Sequence, residues 1–195
     1  MSLVVFQSQA ALMATDADFQ RSVRRHGEAA LATGLDKRER WRLLRLANDP
    51  GTRMTRTMYR GFRLSKLHAT VPLLCRVLGP RLTSCALHYF AACSPFTFYF
   101  ADEGVAFCDH LIATPPARPC PRLLQDVARY ERAVLLLGMR AADGKHSAET
   151  VHFAHDPAAV LAWVLGRQRA PPPCPTTMRA IWSDDGIVWA AVRSR

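Results

Sequence analysis

Three places in this chain set titratable side chains close enough in sequence to suggest chemistry. Cys108-Asp109-His110 puts a thiol, a carboxylate and an imidazole side by side. A nucleophile needs a base aimed at it, yet successive helical residues diverge by roughly 100°, so these three cannot converge as a triad. His152 and His155 stand three apart, followed by Asp156. On an extended segment that spacing sends the rings to opposite faces, and they read as solvated or capping histidines. Glu131 falls within an apolar stripe formed by Leu124, Val127, Ala128, Val134 and Leu135. A carboxylate there is costly unless paired, so a structural ion pair between Glu131 and a nearby arginine is expected.

Other signatures of chemistry are missing from the sequence. It has no glycine-rich phosphate loop, no nucleophile elbow and no helix with two histidines at zinc-binding spacing. The six cysteines, at 75, 85, 93, 108, 120 and 174, include no pair at the separation that structural zinc sites use. Most are flanked by Leu, Ala, Val or Phe, as small buried hydrophobes would be. We therefore assign no catalytic residue and no metal ligand.

The length of 195 residues and 49% apolar content suffice for a buried core. The opening Met-Ser-Leu-Val-Val-Phe-Gln lacks the basic start and long apolar run of a secretory signal, and no stretch approaches 18 uninterrupted apolar residues. A cytoplasmic protein with no membrane partner is expected. The net charge of +10 is uneven: up to residue 81 there are 15 Lys/Arg against 6 Asp/Glu, and beyond it 11 against 10. A basic helical half could meet nucleic acid or an acidic protein face. Because Arg21, Arg24, Arg25, Arg38, Arg40, Arg42 and Arg45 are spread around their helices, nucleic acid is disfavoured.

Stepping from residues to elements, Thr15-Asp16-Ala17-Asp18 signals a helix start, and Phe19, Val23, His26 and Ala30 keep helical spacing to Gly34. Asp36 with Glu39 repeats the signal ahead of Trp41, Leu44 and Ala47, and Asp49-Pro50-Gly51 ends that helix. Met58, Phe62, Ala69, Leu73 and Val77 continue helically, with Pro72 predicting a kink or two helices meeting near 71. Residues 81–93 and 101–111 read as shorter helices joined around Ser94-Pro95, and 121–139 as a longer one. Tyr89, Phe90, Phe96, Phe98, Tyr99, Phe100 and Phe107 form the densest aromatic region, suited to core with part left as a docking face.

After Asp143-Gly144 the pattern turns extended. Thr150, Val151 and Phe153 suit a strand, and Asp156-Pro157 starts a helix carrying Val160, Leu161, Val164 and Leu165. Past the stiff Pro171-Pro172-Pro173 run, residues 178–184 and 187–193 read as a hairpin around Asp185-Gly186. That turn pairs Asp184 with Ile187, Trp182 with Trp189 and Ala180 with Ala191. Because 187–192 is apolar on both faces, it is expected at the centre of the sheet, with 147–153 and 177–183 as edges. The fold class is thus α+β: a mostly helical, partner-binding domain over 1–140, then a small three-stranded antiparallel sheet with one helix over 141–195.

The segment from Tyr59 to Glu131 carries Pro72-Leu73-Leu74, Leu78-Gly79, Tyr89, Ser94-Pro95, Gly104, Phe107, Leu124 and Asp126-Val127-Ala128-Arg129-Tyr130-Glu131-Arg132-Ala133. With Phe6-Gln7, this spacing resembles the family of partner subunits for iron-dependent peptide-modifying enzymes of barrel fold, and within it the methanobactin-biosynthesis branch. Phe98-Tyr99-Phe100 and Arg132 depart from the broader pattern, which leaves another peptide-maturation pathway as the alternative. Some relatives carry a DNA-binding label, so a nucleic-acid-binding regulator is the other.

The resemblance implies a heterodimer whose partner holds the iron and, with dioxygen, converts cysteines of a precursor peptide into oxazolone and thioamide groups of a copper-binding chalkophore. It implies no cofactor in this chain, only iron in the partner subunit. An open strand edge would let the leader of that peptide add as a further strand. The expected peptide-binding edge is Thr177, Met178, Arg179, Ala180, Ile181, Trp182 and Ser183, or the stretch with Thr150, Val151 and Phe153.

Overall fold

The computed structural model describes residues 2–93, 99–117, 120–145, 147–183 and 185–192. Nine α-helices and three strands are found among them: α1 Ser2–Thr15, α2 Ala17–His26, α3 Lys37–Asn48, α4 Gly51–Thr70, α5 Pro72–Leu78, α6 Leu82–Ala92, α7 Phe100–Ala113, α8 Pro121–Ala142, β1 Ala148–Phe153, α9 Pro157–Val164, β2 Thr176–Ser183 and β3 Gly186–Ala191. The fold is α+β, helical at the front with a small antiparallel sheet near the C-terminus. No described helix is long and apolar enough to cross a membrane.

The chain divides into two compact units, Met1–Arg63 and Leu64–Arg195. The sheet thus shares a unit with the helices from α5 to α8, and the division comes at 63/64 rather than at 140/141. In the first unit Met13, Val23, Leu31, Leu35, Leu43 and Ala47 form a core. The Asp36 carboxylate accepts from the Glu39 amide at 2.7 Å while the Glu39 carboxylate accepts from the Asp36 amide at 2.8 Å, the reciprocal cap that starts α3. Asp16 likewise accepts from the amides of Asp18 and Phe19 to start α2. That helix stops at Gly27, whose φ of 60° suits a residue without Cβ, and a short 3₁₀ turn carries the chain on instead of a helix to Gly34. The helix α1 has no counterpart in the sequence reading, because its apolar residues follow no single stripe.

In the second unit, Leu67, Val71, Leu74, Tyr89, Phe107, Leu111, Leu124 and Val127 belong to one buried cluster. Pro72 sits at the first position of α5, where a missing amide hydrogen costs nothing, so the expected break near 71 is a junction of two helices. α7 and α8 pack closely, and Gly104 shows how closely. A Cβ there would stand 2.7 Å from Thr70 Oγ1 and 2.8 Å from Leu135 Cδ1. Lys66 and Glu103, each 2% exposed, form a buried ion pair at 4.0 Å. The aromatic region divides: Tyr89 and Phe107 are buried edge to face with centroids 5.3 Å apart, while Tyr99 and Phe100 are exposed. Phe96, Phe98, Ser94 and Pro95 lie outside the described residues.

The sheet has the order β1-β2-β3, antiparallel throughout. This corrects the expectation that 187–192 is central. β2 lies between the other strands: Thr177, Met178, Arg179, Ala180 and Ile181 meet β1 on one side and the β3 side on the other, while Trp182 and Ser183 run past the end of β1 and pair with β3 alone, so β2 is not an edge strand. The apolar residues that suggested burial of β3 are instead tolerated at its surface, where Val188 is 54% exposed.

The hairpin register is also corrected. Ser183 pairs with Gly186, Trp182 with Ile187 and Ala180 with Trp189, two residues away from the expected pairing. Ile187 is therefore not opposite Asp184, which itself lies outside the described residues. Gly186, at φ 115°, closes the turn as its last residue rather than forming its centre. A two-residue slip preserves the pleat, so Trp182 and Trp189 still share the face turned to α8. There Trp189 stacks on Tyr130 of α8 at 5.1 Å and 18°.

Candidate functional site

The loss of β2 as an edge leaves the outer sides of β1 and β3. Along an antiparallel strand every second residue directs its N–H and C=O away from the partner. Among the described residues, no hydrogen bond occupies the outward side of β1. Beside it runs a groove of about 290 Å³. α7 contributes Asp109 and Ile112 to it, and α8 contributes Arg129, Arg132 and Ala133. Its remaining wall is Glu149 to His152 of β1, with no residue of β2, which puts the groove on the side of β1 away from β2.

The groove's charges are compensated. Arg132 Nε donates to Asp109 Oδ1 at 2.6 Å, both half-exposed. Arg129 reaches Asp126 at 2.9 Å, and Glu149 at the far end meets Arg140 at 2.5 Å. Ile112 and Ala133 add an apolar lining between the ion pairs. Such a channel offers backbone pairing along β1 and a place for alternate side chains of an extended guest. Of the expected peptide-binding residues, Thr150 and Val151 lie in the groove wall, while Val151 and Phe153 turn their side chains into the cluster with Ala133, Tyr130, Met178 and Trp189.

The position of β1 is fixed by Asp126, whose role is not apparent in the sequence. Its side chain is fully buried and accepts from the Ala154 amide at 3.0 Å, the His155 amide at 3.0 Å and His155 Nδ1 at 2.8 Å. His155 is accordingly buried at 3% exposure, not solvated. A polar residue opening a four-residue step from Asp126 to Tyr130 on α8 gave no hint of a partner 29 positions away. His152, on the outer face, meets Thr177 Oγ1 at 2.9 Å.

Glu131 is buried as expected, but its partner is different. It accepts from the amides of Leu73 at 2.7 Å and Leu74 at 3.0 Å, so a carboxylate from α8 caps the N-terminus of α5 in place of an arginine pair. The amides that follow a proline-led helix start need an acceptor, and α5 has no capping side chain of its own. Burial pushes the Glu131 carboxyl up to about 7, against the two amides, which favour its charged form.

Cys108, Asp109 and His110 do diverge: Cys108 is buried in the core, Asp109 faces Arg132, and His110 lies 5.3 Å from His88. The latter two border a pocket of about 360 Å³ with Ser84, Cys85 and Thr114. Burial, then the neighbouring His88, holds His110 below the usual histidine range, and burial raises the Cys85 thiol. A thiol held in its protonated form makes a poor nucleophile. Cys108 is buried and Cys75, Cys85 and Cys93 are partly buried, while Cys120 and Cys174, each between two prolines, are exposed. Among the described residues no three His, Cys, Asp or Glu side chains converge to hold a metal ion.

The fold and groove thus define a helical scaffold that presents an open strand edge beside a walled channel. No family model matches the chain, and no curated protein matches it.

Proposed function

We propose that this chain is the non-catalytic subunit of a heterodimeric, iron- and dioxygen-dependent peptide-modifying enzyme of the methanobactin type, and that it holds the leader of the precursor peptide. The observation that carries this reading is the outward side of β1 with its groove. A leader adding antiparallel or parallel to β1 gains main-chain hydrogen bonds largely independent of its sequence, and its alternate side chains enter the groove over Ile112 and Ala133. Tethering there raises the effective concentration of the peptide's cysteines at the partner's iron, which performs the oxidation to oxazolone and thioamide. In this scheme the chain works in the cytoplasm, where the peptide is made.

The test is co-expression with a candidate barrel-fold iron enzyme and its precursor peptide, read by mass spectrometry of the peptide. A mass change only when both chains are present is the expected result. Proline at Thr150 and at Val151, made separately, locates the leader. Neighbouring residues alternate in amide direction, so one of the two blocks the guest while sparing the β1–β2 ladder. Full peptide affinity in both variants would sink the reading of β1 as the binding edge.

A nucleic-acid-binding regulator is the second reading, favoured by the 12 Lys/Arg against 6 Asp/Glu in residues 1–63. It requires steeply salt-dependent affinity for duplex by the chain alone.

A further inference from the structure

The first unit carries an exposed feature that the peptide groove does not use. On α4, Met54 is 67% exposed, Met58 65% and Phe62 44%. Their spacing of four sets them in one stripe of about 12 Å along the helix. Thr52, Arg56 and Arg63 are buried on the opposite side, which fixes the stripe outward. α4 has Arg53, Arg56, Arg60, Arg63 and Lys66 and no Asp or Glu. Of these, Arg53 and Arg60 are exposed and border the stripe on one flank.

We propose that this face of α4 is a docking surface for a protein whose own face is apolar and rimmed by carboxylates. The inference rests on reading the chain as a partner subunit, and it names where the second subunit is gripped. Two exposed methionines in water cost free energy that apolar contact recovers, and methionine adapts to irregular partners. Methionine and arginine are also the side chains that interface cores favour, and the exposed Arg53 and Arg60 select an acidic rim. Duplex DNA would engage Arg53 and Arg60 yet leave the stripe exposed, so the apolar residues argue for protein.

The experiment uses the full chain and the candidate barrel-fold iron enzyme, with affinity measured by calorimetry. The double substitution Met54→Asp, Met58→Asp should weaken the complex at least tenfold, while its circular dichroism and its affinity for the precursor peptide stay at wild-type values. Arg53→Glu, Arg60→Glu should weaken it several-fold and flatten its salt dependence. Wild-type affinity of the aspartate variant for the enzyme would overturn the α4 surface and leave the peptide-holding reading standing. No complex with the wild-type chain would take down both. Binding of the wild type to phosphatidylglycerol vesicles or to duplex DNA, abolished by the same substitutions while enzyme binding persists, would also overturn it.

Discussion

Asp126 and His155 lie 29 positions apart and meet at 2.8 Å, carboxylate to Nδ1, in a contact from which water is excluded. The same carboxylate takes the amides of Ala154 and His155, so one side chain of α8 anchors the end of the strand proposed to receive a guest.

Removing that carboxylate leaves two amides and an imidazole without their buried acceptor. Asp126→Ala should therefore lower stability by about 3–4 kcal/mol. Asp126→Asn keeps one acceptor oxygen and should cost roughly half as much. Urea denaturation of both variants checks this. A midpoint for Asp126→Ala equal to that of the wild type would mean that the anchor contributes nothing.

Glu131 gives a pH dependence with a defined sign. Its carboxyl titrates near 7 in the folded chain and at about 4.5 when unfolded, so the folded state holds an extra proton between these values. Stability contributed by the protonated form is present below about pH 4.5 and is lost as pH rises toward 7, by about 3 kcal/mol. Glu131→Gln removes the titration. The difference in unfolding free energy between wild type and variant should fall over that interval and level off above it. A difference constant from pH 4.5 to 7.5 would show that the two amides outweigh burial.

Most elements were legible because their start signals are local: Asp36 with Glu39, Pro72, and Asp156 before Pro157 each act within a turn of chain. Partners set by tertiary packing were not. Glu131 reads as an ion-pair residue since its true partners are amides, which every residue offers and no pattern marks. The register of the hairpin slipped by two because Asp185-Gly186 is a strong turn signal, yet Gly186 serves equally as the first residue of β3. The peptide edge was half legible: strand character at 148–153 is local, whereas the choice of central strand depends on which backbone is covered.

Gly104 is where α7 approaches its neighbours most closely. A methyl group there meets Thr70 Oγ1 and Leu135 Cδ1 inside normal contact distance, and Thr70 is held by its own hydrogen bond to the Lys66 carbonyl at 2.8 Å. Gly104→Ala should gain helix propensity of about 1 kcal/mol and still lose roughly 1–3 kcal/mol net through overpacking. Adding Thr70→Ala should recover part of that loss. Thermal unfolding of the two variants decides the sign, and a stabilised Gly104→Ala would contradict the close approach.

Trp189 holds the far strand. On β3 only its face toward α8 is shielded, and Val188, Ala190 and Ala191 are exposed, so the strand has few other apolar contacts. Trp189 stacks on Tyr130, touches Phe153 at a centroid distance of 6.0 Å and lies opposite the fully buried Ala180. Trp189→Ala should cost about 2–4 kcal/mol. The loss should be local first: amide exchange in β3 should accelerate at least tenfold, while β1, held by Asp126 and by its ladder to β2, keeps its protection. Peptide affinity would then survive the substitution if β1 is the receiving edge and vanish if β3 is, so hydrogen exchange and calorimetry on one variant separate the two edges of the sheet.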